Sequence, residues 1–226
     1  MIETVQKAIE FLGSYPLWVR IVAAVPVISI VALVLLLLFV PRSDAESGLL
    51  FINDINELWH PLSKDLRSAK NGQKRLEILG LTLYAAWGQI SPWLEEPDTR
   101  DWEIDVYCLS PVAARGALAP LIPTQWGDDA ESKSQAITKF LAGHKGDLEA
   151  RNVNISLHHY SSFPAVHGFH LGSGKIYMSL ARWSTSSGQL EYGAHPYEVI
   201  AFTDQSARAK AYRAAFMNWL QRAKKG

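Results

Sequence analysis

Histidine is the residue type that offers the most chemistry in this sequence. Five of the seven histidines are His158, His159, His167, His170 and His195. His158 and His159 are neighbours on a predicted strand, so their side chains point to opposite faces and cannot both line one pocket. The simplest alternative to a functional cluster is that each histidine is an ordinary hydrogen-bonded core or surface residue.

A zinc site is one specific alternative for these histidines. It would need three or four converging ligands, with Glu198 or an aspartate completing the set. The spacing His167-x-x-His170 is not diagnostic of zinc. We therefore expect no metal site, and nothing in the sequence indicates a cofactor.

Hydrophobic patterning predicts the elements that must position the histidines. Strands are predicted at 75–84, 102–109, 153–160, 165–171, 175–183 and 197–202. Helices are predicted at 49–69 with an interruption near Pro61, at 85–94, at 128–150, and after a cap at Asp204. A loop is predicted at 111–127. Strands alternate with helices and then run together, so we predict an α/β fold with a mixed sheet flanked by helices.

The order of the later elements carries a family resemblance. The strand ISLHHY leads through a proline to a strand that bears Val166-His167. A glycine turn, another strand, a polar loop, the segment PYEVI and a final helix follow. Over about residues 76–219 this order resembles the phospholipase D-like family, in a form that holds one half-domain. The family's motif is H-x-K-x4-D-x6-G-S-x-N, in which the histidine attacks phosphorus while the lysine and asparagine hold the phosphate oxygens.

The motif is incomplete when it is aligned on His167. Phe169 occupies the lysine position and Gly174 the aspartate position, and the G-S-x-N tetrad becomes ARWS at 181–184. The resemblance implies His167 as the nucleophile and Glu198 as the carboxylate that supports it. The candidate ligand- or phosphate-binding residues are Arg182, His170, Lys175 and His195.

These losses favour binding over catalysis. Phosphoryl transfer depends mostly on fixed positive charge around the equatorial oxygens, so losing the lysine and asparagine should cost many orders of magnitude in rate. Arg182 could replace part of that charge, because a guanidinium can bind phosphate bidentately. Our first hypothesis is a binding or interaction module for a nucleotide or another phosphate-bearing ligand. The alternatives are an active phosphodiesterase (a lipase or nuclease) that uses His167, and a structural membrane partner in a larger assembly.

The expected partners follow from the same observations. Single-motif members of the family assemble one active site from two chains across a two-fold axis, so the resemblance implies a homodimer. The 22 Lys and Arg residues balance the 22 Asp and Glu residues, which does not favour nucleic acid. Cys108 is the only cysteine, which excludes an internal disulfide.

A long apolar stretch precedes the α/β pattern. Residues 21–40 carry no charged side chain, and a helix of 20 residues spans roughly 30 Å, the thickness of a bilayer core. The sequence therefore predicts an amphipathic segment at 1–16, a single transmembrane helix at 17–41, a linker and helical connection at 42–75, and the α/β domain at 76–226. The basic residues near the span point both ways, so orientation stays open, with a cytoplasmic domain as the working expectation.

Overall fold

One mixed β-sheet organises the residues that the structure describes. A computed structural model of the chain describes residues 51–163, 165–191 and 196–225. Its strands are β1 (Phe51–Ile52), β2 (Arg75–Leu79), β3 (Glu103–Leu109), β4 (Asn154–Tyr160), β5 (Val166–Leu171), β6 (Ile176–Leu180) and β7 (Tyr197–Ile200). They lie in the order β1-β7-β6-β5-β2-β3-β4. β2, β3 and β4 run parallel, and every other neighbouring pair is antiparallel. The predicted mixed sheet is confirmed.

Helices connect and flank the strands. They are α1 (Ile55–Ser68), α2 (Tyr84–Glu95), α3 (Pro111–Arg115), α4 (Trp126–Gly143), α5 (Lys145–Ala150) and α6 (Ala207–Ala223). Among the residues described above, no helix is long and apolar enough to cross a membrane. The predicted anchor at 17–41 and the amphipathic segment at 1–16 lie outside the described residues.

Side-chain alternation gives the sheet two buried faces, because successive residues of a strand point to opposite sides. The α1 face packs under α1, α2 and α4, and its core includes Leu58, Leu62, Ile78, Ile90, Val106, Ile137, Phe169 and Tyr177. The α6 face packs under α6, and its core includes Leu79, Tyr160, Val166, Met178, Ile200, Phe216 and Leu220. Full burial of one such large apolar side chain stabilises the fold by roughly 1.5–3 kcal/mol. The two faces together fix the register of every strand.

Side-chain caps explain where two of the helices begin. The Asp54 carboxylate accepts hydrogen bonds from the amides of Asn56 and Glu57 and starts α1. Ser206 caps α6 through the amide of Ala209, so the prediction of Asp204 as the cap is wrong by two residues. Such caps satisfy amides that have no partner within the helix.

Other local predictions are also wrong. The predicted helix at 49–69 begins only at Ile55, because Phe51 and Ile52 pair with β7 as strand β1. α1 continues through Pro61, because leucines on both sides of the proline bury against the sheet and hold the helix together. The predicted loop at 111–127 contains α3, which Ser110 caps and Pro111 opens. The predicted helix at 128–150 divides at His144, whose ring stacks on Phe140 and whose Nδ1 lies 3.0 Å from the Phe140 carbonyl oxygen.

Candidate ligand cavity at the carboxyl end of strand β2

A mostly apolar cavity lies where the parallel and antiparallel halves of the sheet meet. β2 ends at Leu79, and the loop 80–83 leads into α2. β5 runs antiparallel beside β2 and begins at the same edge, with Leu79 opposite Gly168. The cavity between them has a volume of about 340 Å³. Ligands of α/β proteins commonly bind outside the carboxyl ends of parallel strands, at the point where strand order changes direction.

The lining of this β2 cavity is mostly apolar, with a small number of polar groups. The apolar residues of the lining are Ile55, Ile78, Leu79, Leu81, Leu83, Ala85, Ala86, Trp126 and Phe169. The polar residues of the lining are Asp54, Asn56, Thr82, His167 and Tyr197. An apolar wall with a few convergent polar groups is typical of small-molecule sites, and the volume lies at the small end of their range.

Two glycines allow the backbone to shape this cavity. Gly168 has φ of 149°, and a Cβ there would lie 1.9 Å from the carbonyl oxygen of Tyr177. A Cβ on Gly80 would lie 2.0 Å from the Leu83 side chain. Any larger residue would therefore push apart β5 and β6 at the first position, or the loop before α2 at the second.

The amino terminus of α2 points its first turn toward the cavity. Leu83 is the N-cap residue, with φ of 58°, and its own side chain makes no capping hydrogen bond. The amide of Trp87 donates to the carbonyl oxygen of Leu83 at 3.0 Å. Ala85 and Ala86, which precede it, line the cavity. Helix amino termini carry partial positive charge, so this end of the cavity favours a negatively charged group.

His167 is the titratable side chain that β5 brings to the cavity. It is 9 % exposed and points to the α1 face, where its ring meets the Tyr197 ring edge-to-face at 5.6 Å. Burial raises the pKa of the Tyr197 hydroxyl, and the carboxylate of Asp54 raises that pKa further. Tyr197 is therefore a protonated hydroxyl at physiological pH.

The structure does not bring Glu198 to His167. Glu198 follows Tyr197 on β7, and Tyr197 contacts His167, so the Glu198 side chain points to the opposite α6 face. Its Oε1 lies 2.9 Å from Arg208. The predicted pairing of a histidine nucleophile with this carboxylate is not formed in the structure.

The predicted phosphate-binding residues are also dispersed. His170 lies on the α6 face, where its Nδ1 contacts Glu77 at 2.7 Å. Lys175 lies beside the far end of β5 and pairs with Asp65 at 2.6 Å. Arg182 is exposed after β6 and is not among the residues that line the cavity. His195 lies outside the described residues.

His170 belongs instead to a charge cluster that the sequence did not reveal. Glu77 is buried on the α6 face, and its carboxylate contacts His170, Lys224 at 2.6 Å and Arg75 at 3.3 Å. Burial raises the pKa of Glu77, but the hydrogen bonds from His170 and Lys224 and the nearby cations outweigh burial and lower the pKa to about 2. The groups are mutually paired, so the cluster holds α6 to the sheet.

Sequence reasoning missed Asp54, Tyr197 and the α2 amino terminus as parts of the site. Asp54 was predicted within a helix, although an Asp three residues before Glu57 is a recognisable capping signal. The conformation of Leu83 has no sequence signal, since leucine seldom adopts positive φ. Tyr197 could be recognised only once the register of β5, β6 and β7 was known.

Comparison with known proteins assigns no family. No protein-family model matches the chain, and no curated protein or solved structure shows significant similarity to it.

Proposed function

We propose that the chain is a membrane-anchored binding module, and that the β2 cavity holds a small ligand with an apolar body and one anionic group. The observation that carries the proposal is the cavity itself, an apolar space of about 340 Å³ that has His167 and the first turn of α2 in its lining. The uncharged stretch at 21–40 supports the anchor.

The polar groups of the cavity favour an anion. Helix amides stabilise negative charge, and an imidazole N–H can donate a hydrogen bond to an anion. Asp54 is an acidic residue of the lining, and its carboxylate already accepts hydrogen bonds from two amides of α1. A phosphate group fits this chemistry, so the phospholipase D-like resemblance and the phosphate-bearing ligand remain part of the proposal.

The arrangement favours binding over phosphodiester cleavage. A histidine nucleophile needs an orienting partner and several cations around the phosphate oxygens. Glu198 points to the other face, Lys175 pairs with Asp65, and Arg182 is not in the lining. His167 therefore serves in this proposal as a ligand contact.

The test compares phenyl phosphate with the neutral analogue benzyl alcohol. We expect the purified full chain to bind phenyl phosphate more tightly, measured by ligand-observed NMR. His167→Ala should weaken phenyl phosphate binding about tenfold, since one charged hydrogen bond contributes about 1.5 kcal/mol or more. Equal binding of both probes, or no effect of His167→Ala, would contradict the assignment of an anion site.

Two tryptophan substitutions on α2 provide a matched pair. Ala85 is exposed and lines the cavity, so Ala85→Trp should fill the entrance and abolish binding. Gly88 lies on the same helix and does not line the cavity, and a Cβ at this position would have no other atom within 4 Å. Gly88→Trp should therefore leave binding intact. The phosphodiesterase alternative predicts a different result. The chain would then release nitrophenolate from bis(p-nitrophenyl) phosphate, and His167→Ala would abolish that release.

A further inference from the structure

β4 is a long strand at the edge of the sheet. The sheet order ends at β4, and no strand lies beyond it within the described part of the chain. The opposite edge strand, β1, has only two residues, whereas β4 has seven. Asn154, Ser156 and His159 are exposed, so the edge is open to solvent.

The hydrogen bonds of β4 show which backbone groups point outward. The amide of Asn154 donates to the carbonyl oxygen of Trp102, and the carbonyl oxygen of Tyr160 accepts from the amide of Ser110, each at 2.8 Å. In a parallel pair, alternate residues bond to the neighbouring strand. Residues 154, 156, 158 and 160 therefore bond toward β3. The N–H and C=O groups of Ile155, Leu157 and His159 point away from the sheet, and they have no partner among the described residues.

This edge lacks the devices that usually prevent pairing. Natural edge strands are commonly protected by lysine, proline, a bulge or a short length. The β4 sequence NISLHHY contains no proline and no Lys, Arg, Asp or Glu. All seven residues pair with β3 in continuous register, so β4 has no bulge.

We infer that β4 is a dimerisation edge, on which β4 of a second copy of this chain pairs antiparallel about a two-fold axis through Leu157. The outward residues are spaced symmetrically around Leu157. In this register Leu157 faces its own copy and Ile155 faces His159, so every outward N–H and C=O gains a partner. Neither strand carries a fixed charge, so no like-charge repulsion opposes the pairing.

This dimer differs from the one that the family resemblance implies. β2 and β3 separate β5, which carries His167, from the β4 edge. With strands about 4.8 Å apart, the two β5 strands lie on the order of 30 Å from each other across the joined sheet. Each β2 cavity therefore remains complete in its own chain, and the dimer presents two separate cavities.

Cysteine cross-linking of the full chain in detergent tests the register. In the proposed pairing the two Leu157 side chains are directly opposite, with Cβ atoms about 5 Å apart, so Leu157→Cys should form an intermolecular disulfide under mild oxidation. Asn154→Cys is the matched control, because residue 154 and its copy lie roughly 20 Å apart in this register. The unsubstituted chain controls for Cys108, which is 1 % exposed.

A second pair of variants tests the backbone hydrogen bonds. His159→Pro removes an outward amide and leaves the bonds to β3 intact, since proline is tolerated at such edge positions. It should raise the dimer dissociation constant about tenfold or more, measured by light scattering of the detergent-solubilised chain. His159→Ala keeps the amide and should change the constant less than about threefold.

The outcomes separate this edge from other arrangements. A dimer that cross-links at 157 and is weakened only by the proline supports the inference. A chain that stays monomeric at every concentration overturns it. In that case β4 pairs with a strand of another protein or with no strand. A dimer that cross-links at 154 instead of 157, or that responds equally to both His159 variants, also overturns it.

Discussion

Replacing Glu77 with glutamine removes the anion at the centre of the charge cluster on the α6 face. Its carboxyl pKa is about 2 in the folded chain, against an ordinary value of 4.5. Each pKa unit corresponds to about 1.4 kcal/mol, so ionised Glu77 stabilises the fold by about 3 kcal/mol at neutral pH. The Glu77 side chain is only 4 % exposed, so solvent screening reduces this value little.

The sign of the pH dependence follows from the lowered pKa. Because the folded pKa lies below the unfolded one, the stabilisation is present above pH 4.5 and is lost as the pH falls toward 2. We expect Glu77→Gln to lower the free energy of unfolding by about 3 kcal/mol at pH 7. The difference from the unsubstituted chain should shrink below about 1 kcal/mol near pH 2.5.

Urea unfolding followed by tryptophan fluorescence measures both values. Glu103→Gln is the matched control, because Glu103 is exposed on the neighbouring strand β3, and we expect a change within about 0.5 kcal/mol. A Glu77→Gln effect that is equal at pH 7 and pH 2.5 would refute the assignment, since it would show that packing rather than charge stabilises the site.

Two further predictions concern Gly168 and Cys108. Gly168→Ala should lower the free energy of unfolding by about 3 kcal/mol or more, because its Cβ would meet the Tyr177 carbonyl oxygen. The control Gly88→Ala, on the exposed side of α2, should raise the free energy of unfolding by roughly 0.5–1 kcal/mol. If Gly168→Ala does not lower the free energy of unfolding in the same urea titration, the close approach of Gly168 to the Tyr177 carbonyl oxygen is contradicted. Burial raises the pKa of the Cys108 thiol to about 11, and the hydrogen bond with Ser134 lowers that pKa by a smaller amount. The Cys108 thiol of the folded chain should therefore not react with dithionitrobenzoate at pH 8. One thiol per chain should become reactive in urea, and rapid labelling of the folded chain would show that the thiol is accessible.

The sequence predicted the sheet well because its signals are local. The strand RLEIL is buried at four of its five positions, and its hydrophobic pattern is visible without tertiary information. The cap of α6 was displaced by two residues because Asp204 and Ser206 are both good caps, and only the geometry of the β7–α6 turn selects Ser206.

The site was predicted less well because it depends on strand register. His167 and Glu198 seemed compatible in sequence, but a shift of one residue along β7 exchanges Tyr197 for Glu198 beside the histidine. The positions of Arg182 and Lys175 depend on where the β5–β6 hairpin turns and on what α1 presents to it. Asp65 on α1 pairs with Lys175, and local patterning does not report that contact.

The pairing of β1 with β7 has a consequence for synthesis of the chain. β1 and α1 are made first among the described elements, yet β1 pairs only with β7, and Asp65 of α1 contacts Tyr177 and Lys175 on the β5–β6 side. A ribosome must therefore deliver almost the whole domain before β1 and α1 can make all of their contacts. Contacts between segments so distant in sequence slow folding. Until β7 emerges, β1 of the nascent chain lacks its strand partner, and unpaired strand edges make incompletely folded chains prone to aggregation.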